Sequence, residues 1–433
     1  MSAGAILAAL AVLTLQAQGA ASQEGEDSLL NGYQEARALR DAAGTAYQMS
    51  DFESARRLMV AAEALQPGHA GILRGQYQIA MRDEDYGAAI SALRAIVDAG
   101  LIYDLSDPDR EHLIADHASA LSEIEAALQA NAAPVGRAQI TATLPDTDAL
   151  IESVAVDIET ERLYVGSVKS RTIYMIEPFA RDTPELFADA QSGLQSVFGM
   201  AVDRRNRLLF VTTGAVPLTP LAEGEQATTA LMAFDLSTGQ LYRRYDMPDA
   251  GQMGDLTVRD GIVYVTDAQR PRIYRLENPE SQLEVYIDDP RFASLQGIAH
   301  AQGALWVADY AQGLWHIDPL SRQASLTRSP GESLIGLDGL SASRNGVLYA
   351  VRNGGVPHSV LRLDVSYEGD IERIVPVLRG HSAFMEPTLI RIADERAFLV
   401  ANSQWPRFSG EGDDGVAPEP TRILTWTLDE GVD

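Results

Sequence analysis

Residues 296–309, QGIAHAQGALWVAD, and residues 338–353, DGLSASRNGVLYAVRN, are two copies of one pattern. Each reads as an apolar strand, a polar turn and a second strand that ends on a small or polar side chain. The same pattern recurs as ESVAVDIETERLYVGS from Glu152, FGMAVDRRNRLLFVTT from Phe198, DLTVRDGIVYVTD from Asp255 and EPTLIRIADERAFLVANS from Glu386. The six starts, Glu152, Phe198, Asp255, Gln296, Asp338 and Glu386, are separated by 46, 57, 41, 42 and 48 residues. Spacing of that order marks a four-stranded propeller blade. Most units continue into a third strand, such as TIYMIEP or GLWHIDP, and then a fourth, such as QLYRRYDM. The last unit runs out of chain after three strands, and RAQITATL, just ahead of the first, is a spare strand that would complete it and close the ring. The fold class expected is an all-β six-bladed β-propeller over residues 138–430, preceded by a small all-α domain over 28–133.

That leading region is rich in Ala, Leu, Glu and Arg and has helical periodicity. SDFESARRLMVAAEALQPG and EDYGAAISALRAIVDAGL align so that Phe52 and Tyr86, and Ala55 and Ala89, lie 34 residues apart, the tetratricopeptide period. Two readings stand: a plain helical bundle, or a tetratricopeptide-like concave surface for a protein partner. Pro134 and Gly136 break the pattern and place the boundary.

The first residues, MSAGAILAALAVLTLQAQGAASQ, hold an apolar stretch too short to span a bilayer, followed by small residues. Residues 1–22 are therefore expected to be a signal peptide, which implies a periplasmic or secreted protein with no membrane span in the mature chain. The absence of cysteine excludes disulfides, thiolate zinc sites and a cysteine nucleophile. The net charge of −27 lacks the basic footprint of a nucleic-acid binder and suits cation binding. No glycine-rich phosphate loop and no G-x-S-x-G elbow is present.

In a propeller the starts of the innermost strands ring one end of the central channel. Here the ring reads Glu152, Phe198, Asp255, Gln296, Asp338, Glu386. Four carboxylates and a carboxamide around a narrow space repel one another or recruit a cation. Oxygen donors suit a hard divalent ion, with Ca²⁺ preferred for its tolerance of irregular geometry. Each acid taken singly could instead accept turn hydrogen bonds. A second set, Thr213, Asp267, Asp309, Asn353 and Ser403, ends the second strands. Of these, Asn353, with the neighbouring Asn402, could add carbonyl ligands, whereas Asp267 and Asp309 are read as bonding into the next turn. His381, in RGHSAFMEPT, is a candidate general base or an ordinary loop residue, and His358 has the same standing.

GLDGLSASRNGVLYAVRNG and LQGIAHAQGALWVADYAQGLWHID resemble the senescence marker protein, gluconolactonase and luciferin-regenerating enzyme family. That resemblance implies a six-bladed propeller with a divalent metal at the channel and, in several members, lactone hydrolysis. It implies Glu152 and Asp338 as first-blade and fifth-blade ligands, with Asp338 also the base or proton shuttle. Gln296 and Asp255 stand where the family has Asn, and Glu386 is an additional acid. Two functions are expected. One is a metal-dependent hydrolase of lactones or similar esters in which Asp338 or His381 activates water. The other is a non-catalytic propeller that binds a small ligand while the helices recruit a protein.

Overall fold

The computed structural model describes residues 29–177, 180, 183–247, 249–329, 332–409 and 416–428. The expected signal peptide lies outside them. Among the described residues no helix is long and apolar enough to cross a membrane.

The helical region comprises α1 (residues 29–48), α2 (Phe52–Leu65), α3 (Ala70–Arg82), α4 (Tyr86–Asp98) and α5 (Asp107–Ala132). The 34-residue spacing reappears as two matching helix starts. Asp51 caps α2 by accepting the N–H of Ser54, and Asp85 caps α4 by accepting that of Ala88. Ser50 and Glu84, each just before its cap, both take a left-handed backbone, at φ 61° and 56°. Ala55 and Ala62 are fully buried in α2 and Ala89 in α4, so small side chains sit where these helices are covered.

The second part is a ring of six antiparallel four-stranded sheets. The inner strands of blades 1 to 6 are Ile151–Asp157, Ser196–Asp203, Met253–Arg259, Leu295–Ala301, Leu337–Ala342 and Ile390–Ala393. The expected closure is present: Gln139–Leu144 pairs with the last strand, Thr421–Thr427, and forms the outer edge of blade 6. Apolar clusters bridge neighbouring blades. Tyr164 of blade 1 packs with Val197, Leu209 and Phe234 of blade 2, and Trp306 of blade 4 with Leu340 and Leu361 of blade 5. Each such side chain contributes about 1.5–3 kcal/mol by leaving water.

The inner strands approach backbone to backbone, and glycine permits it. A Cβ on Gly297 would lie 2.2 Å from the backbone nitrogen of Leu340 in the next blade. Gly297→Ala is therefore expected to lower stability by about 1–3 kcal/mol, read as a lower urea midpoint with an unchanged slope.

Candidate active site at one end of the channel

Strand register fixes which residues are equivalent. Val154, Met200, Leu256, Ile298, Leu340 and Ile390 pair with Val165, Val211, Val265, Val307, Ala350 and Leu399. Two residues earlier, the ring position is held by Glu152, Phe198, Gly254, Gln296, Asp338 and Thr388. Two expected ring members are thus displaced. Asp255 stands one residue past the ring. Glu386 stands two residues before it, ahead of the inner strand, with a left-handed backbone at φ 63°.

Asp255 is engaged elsewhere. The position after each reference residue is Ala155, Ala201, Thr257, Ala299, Ser341 and Arg391. All six face an aromatic ring on the second strand: Tyr164, Phe210, Tyr264, Trp306, Tyr349 and Phe398. Five small side chains leave the axis open, and the sixth, Arg391, reaches from blade 6 to blade 3. It ion-pairs with both carboxylate oxygens of Asp255. It also donates to the carbonyls of Met200, Ile390 and Leu256. Both side chains are buried, at 11% and 1% exposure. Burial raises the Asp255 carboxyl pKa, and the Arg391 charge and hydrogen bonds oppose it.

Beyond this plug lies a chamber of about 40 Å³ lined by Glu152, Phe198, Asp255, Gln296, Asp338 and Trp405, among others. Glu152 Oε2 accepts the indole N–H of Trp405 at 2.6 Å and lies 2.9 Å from Ser403 Oγ. Burial, then the charge of Asp338, pushes its pKa up to about 8 against those hydrogen bonds, with Glu386 adding to the rise. Asp338 Oδ2 accepts from Asn353 Nδ2 at 2.7 Å, and the same amide nitrogen donates to Pro387 O. Burial raises Asp338 to about 7, with Asn353 lowering and Asp255 raising it. Glu386 is also raised to about 7 by burial, the backbone N–H of Trp405 lowering and Asp338 raising it. Two buried acceptors, Glu386 Oε2 and Asn353 Oδ1, have no partner. Buried acceptors are normally satisfied, so these mark where a ligand atom or water would bond. Gln296 lines the chamber and donates from Nε2 to Ser294 Oγ at 3.3 Å.

A larger cleft of about 510 Å³ is lined by His358, His381, Phe384, Glu386, Gln404 and Arg407, among others. Glu386 lines this cleft, and its carbonyl accepts the N–H of Ser403, whose hydroxyl donates to Glu152, so it joins cleft to chamber. His381 Nδ1 accepts the N–H of Ala383 at 3.1 Å. In the neutral ring that bond puts the proton on Nε2, so His381 meets the cleft as a donor rather than a base.

The second-strand set divides as expected for blades 3 and 4. Asp267 accepts from the N–H groups of Gly251, Gln252, Gln269 and Arg270, and Asp309 from those of Ala293, Ser294 and Ala311. Asn402 bonds Arg422 N and Pro420 O, away from the chamber, whereas Asn353 and Ser403 reach it. Sequence reasoning missed Trp405, Tyr310 and Arg391. Arg391 had a readable signal, a lone large cation in a column of small residues. Desolvation, then the charges of Asp338 and Glu386, push the Tyr310 phenol up to about 12.

A sequence profile of the major royal jelly protein family matches residues 195–286, most of blades 2 and 3. No curated protein matches. Similar solved structures include a gluconolactonase from Xanthomonas campestris, 18% identical over 68% of this chain and 92% of that one, with a TM-score of 0.45. Another is a calcium-binding protein, regucalcin, from Agrobacterium tumefaciens, 13% identical over 68% and 96%, with a TM-score of 0.46. A third is a PQQ-bound aldose sugar dehydrogenase from Streptomyces coelicolor, 12% identical over 68% and 99%, with a TM-score of 0.43. These proteins do different chemistry, and at such identities no residue role transfers from them.

Proposed function

We propose that the chamber and cleft together form a cation-assisted site that hydrolyses a small lactone or related ester. The observation that carries this reading is the convergence of Glu152, Asp338 and Glu386, one buried and two partly buried carboxyls raised to about 8, about 7 and about 7, beside a cleft of about 510 Å³. The chamber, at about 40 Å³, accommodates an ion or a water but not an organic substrate. The substrate therefore lies in the cleft and presents its reactive group at Glu386.

The donor set fits a hard divalent cation such as Ca²⁺ in kind: all donors are oxygens, and their raised proton affinities record burial first and neighbouring negative charge second, both of which a cation offsets. Glu152, Asp338 and the carboxamide oxygens of Gln296 and Asn353 would hold it. When bound, such an ion polarises an ester carbonyl as a Lewis acid. The protein's own groups do the rest. Asn353 fixes the orientation of Asp338. Asp338 and Glu386, with pKa values near neutrality, take a proton from water and return it to the leaving oxygen. His381 offers a donor to the substrate in the cleft, and Phe198 and Trp405 exclude bulk water from Glu152.

The rival reading is a propeller that binds a ligand without chemistry while the helical repeats recruit a protein partner. One observation favours it: among the described residues no group of three His, Cys, Asp or Glu has the spacing of a metal centre. Export, expected from the leading apolar stretch, belongs to either reading.

A panel of five- and six-membered lactones, assayed with and without added Ca²⁺ after chelation, decides between them. Turnover that needs the cation, reduced about 100-fold or more by Asp338→Asn, is expected for the hydrolase. Turnover unchanged in that variant removes the role given to Asp338, and no turnover of any lactone leaves the binding protein.

A further inference from the structure

The opposite end of the channel has the reverse electrostatic character. There the far halves of the inner strands and their hairpin turns enclose a cavity of about 350 Å³. Its charged or titratable lining residues are Arg204, Arg259, His300, Arg344, Arg391 and Asp394. Four cations face one carboxylate in a chain whose net charge is −27.

Arg391 forms the floor. Its N–H groups are directed to Asp255 and to three backbone carbonyls, and Asp255 balances its charge, so the anion-facing charge comes from the rim. The rim guanidiniums are engaged more loosely. Arg204 Nε lies 3.8 Å from Glu159, and Arg259 Nε lies 3.7 Å from Asp260. Arg344 pairs with Asp394. The three arginine side chains are 51%, 52% and 68% exposed, so these pairs are weak and exchangeable. Arg259 also approaches His300 Nδ1. Burial, then the Arg259 charge, lowers the His300 pKa to about 4, so the ring is neutral at pH 7. With Nδ1 accepting from Arg259, His300 carries its proton on Nε2 and is a further donor.

We propose that this mouth binds a small oxoanion bearing two or more negative charges, a phosphomonoester or a polycarboxylate. Planar guanidinium forks from blades 2, 3 and 5 match the paired oxygens of such groups. The cavity has the size of a small-metabolite pocket. A monovalent anion satisfies one fork and leaves the others in their weak pairs. The buried Arg391–Asp255 pair stands between this mouth and the acidic chamber, so the site is separate from the proposed hydrolytic centre.

The test is calorimetric titration of the full chain with inorganic phosphate and with citrate at constant ionic strength, using sodium chloride as the control. Saturable binding of either anion but not chloride is expected. Phosphate alone indicates a phosphomonoester ligand, and citrate alone a polycarboxylate. Affinity should fall at least tenfold in the Arg259→Ala, Arg344→Ala double variant and be unchanged in Asp338→Asn. Arg204→Gln, which removes only a long contact to an exposed acid, should weaken binding about threefold or more while keeping the circular dichroism of the native chain. No saturable binding by either anion overturns the proposal, as does wild-type affinity in the double variant or in Arg204→Gln.

Discussion

Arg391→Ala is expected to be the most destabilising single change in the propeller, costing about 3–5 kcal/mol. The reason is asymmetric. The Asp255 side chain is 1% exposed and has both oxygens committed to Arg391. Removing the guanidinium leaves a carboxylate that must stay charged without a partner or take up a proton. It also strips the donor from the carbonyls of Met200, Ile390 and Leu256. The buried pair itself need not stabilise the fold relative to an apolar replacement. Arg391→Met combined with Asp255→Leu should therefore recover much of the loss. All four tryptophans, at 306, 315, 405 and 426, lie in the propeller, so their fluorescence in urea reports this unit without contribution from the helices. A cost under about 1 kcal/mol for Arg391→Ala would mean that the pair does not form in solution.

The second large effect is on pH dependence. Glu152, Asp338 and Glu386 are raised from ordinary values of 4.5, 3.8 and 4.5 to about 8, about 7 and about 7. Between those limits the folded chain holds more protons than the unfolded chain. Stability is then fully present below the unfolded values and is lost as pH rises through the folded ones. Each group contributes up to about 1.4 kcal/mol per pH unit in that window. The melting temperature followed by tryptophan fluorescence should fall between about pH 6.5 and pH 8. Acids with lowered pKa, such as Asp157 and Asp289, act below that range, and the buried His300 and His316, whose pKa values are lowered from 6.5, oppose the slope only below about pH 6.5. Glu152→Gln with Asp338→Asn should flatten the profile. Added Ca²⁺ should flatten it too, by replacing the protons. A melting temperature that is level or rising from about pH 6.5 to pH 8 in the wild type would contradict the burial of these acids together.

The blade count and the closing strand were legible because each unit repeats a strand–turn–strand pattern whose apolar positions must face neighbouring blades. Glu152, Gln296 and Asp338 fall at the ring position for the same reason. The two displaced acids show where that reasoning stops. In blade 3, Gly254 takes the ring position, and nothing in the sequence distinguishes Gly254 from Asp255 as the residue that pairs in register. In blade 6, Pro387 intervenes, and the inner strand starts only at Ile390, so Glu386 is left on a loop. Hydrogen-bond partners were less legible still. Asn353 and Asn402 look alike as strand-end carboxamides, yet one meets Asp338 and the other closes a turn against Arg422. That difference arises from the path of the chain after each strand, which local pattern does not encode.

The proposed chemistry requires that Glu152, Asp338 and Glu386 share charge at one end of the channel. Calorimetric titration of the chelated protein with Ca²⁺ at pH 7, in two buffers of different ionisation enthalpy, tests it most directly. The predicted result is saturable binding with net proton release, because a cation displaces the protons these carboxyls retain at that pH, with both signals lost in Asp338→Asn. Binding without proton release, or no binding at all, would contradict it.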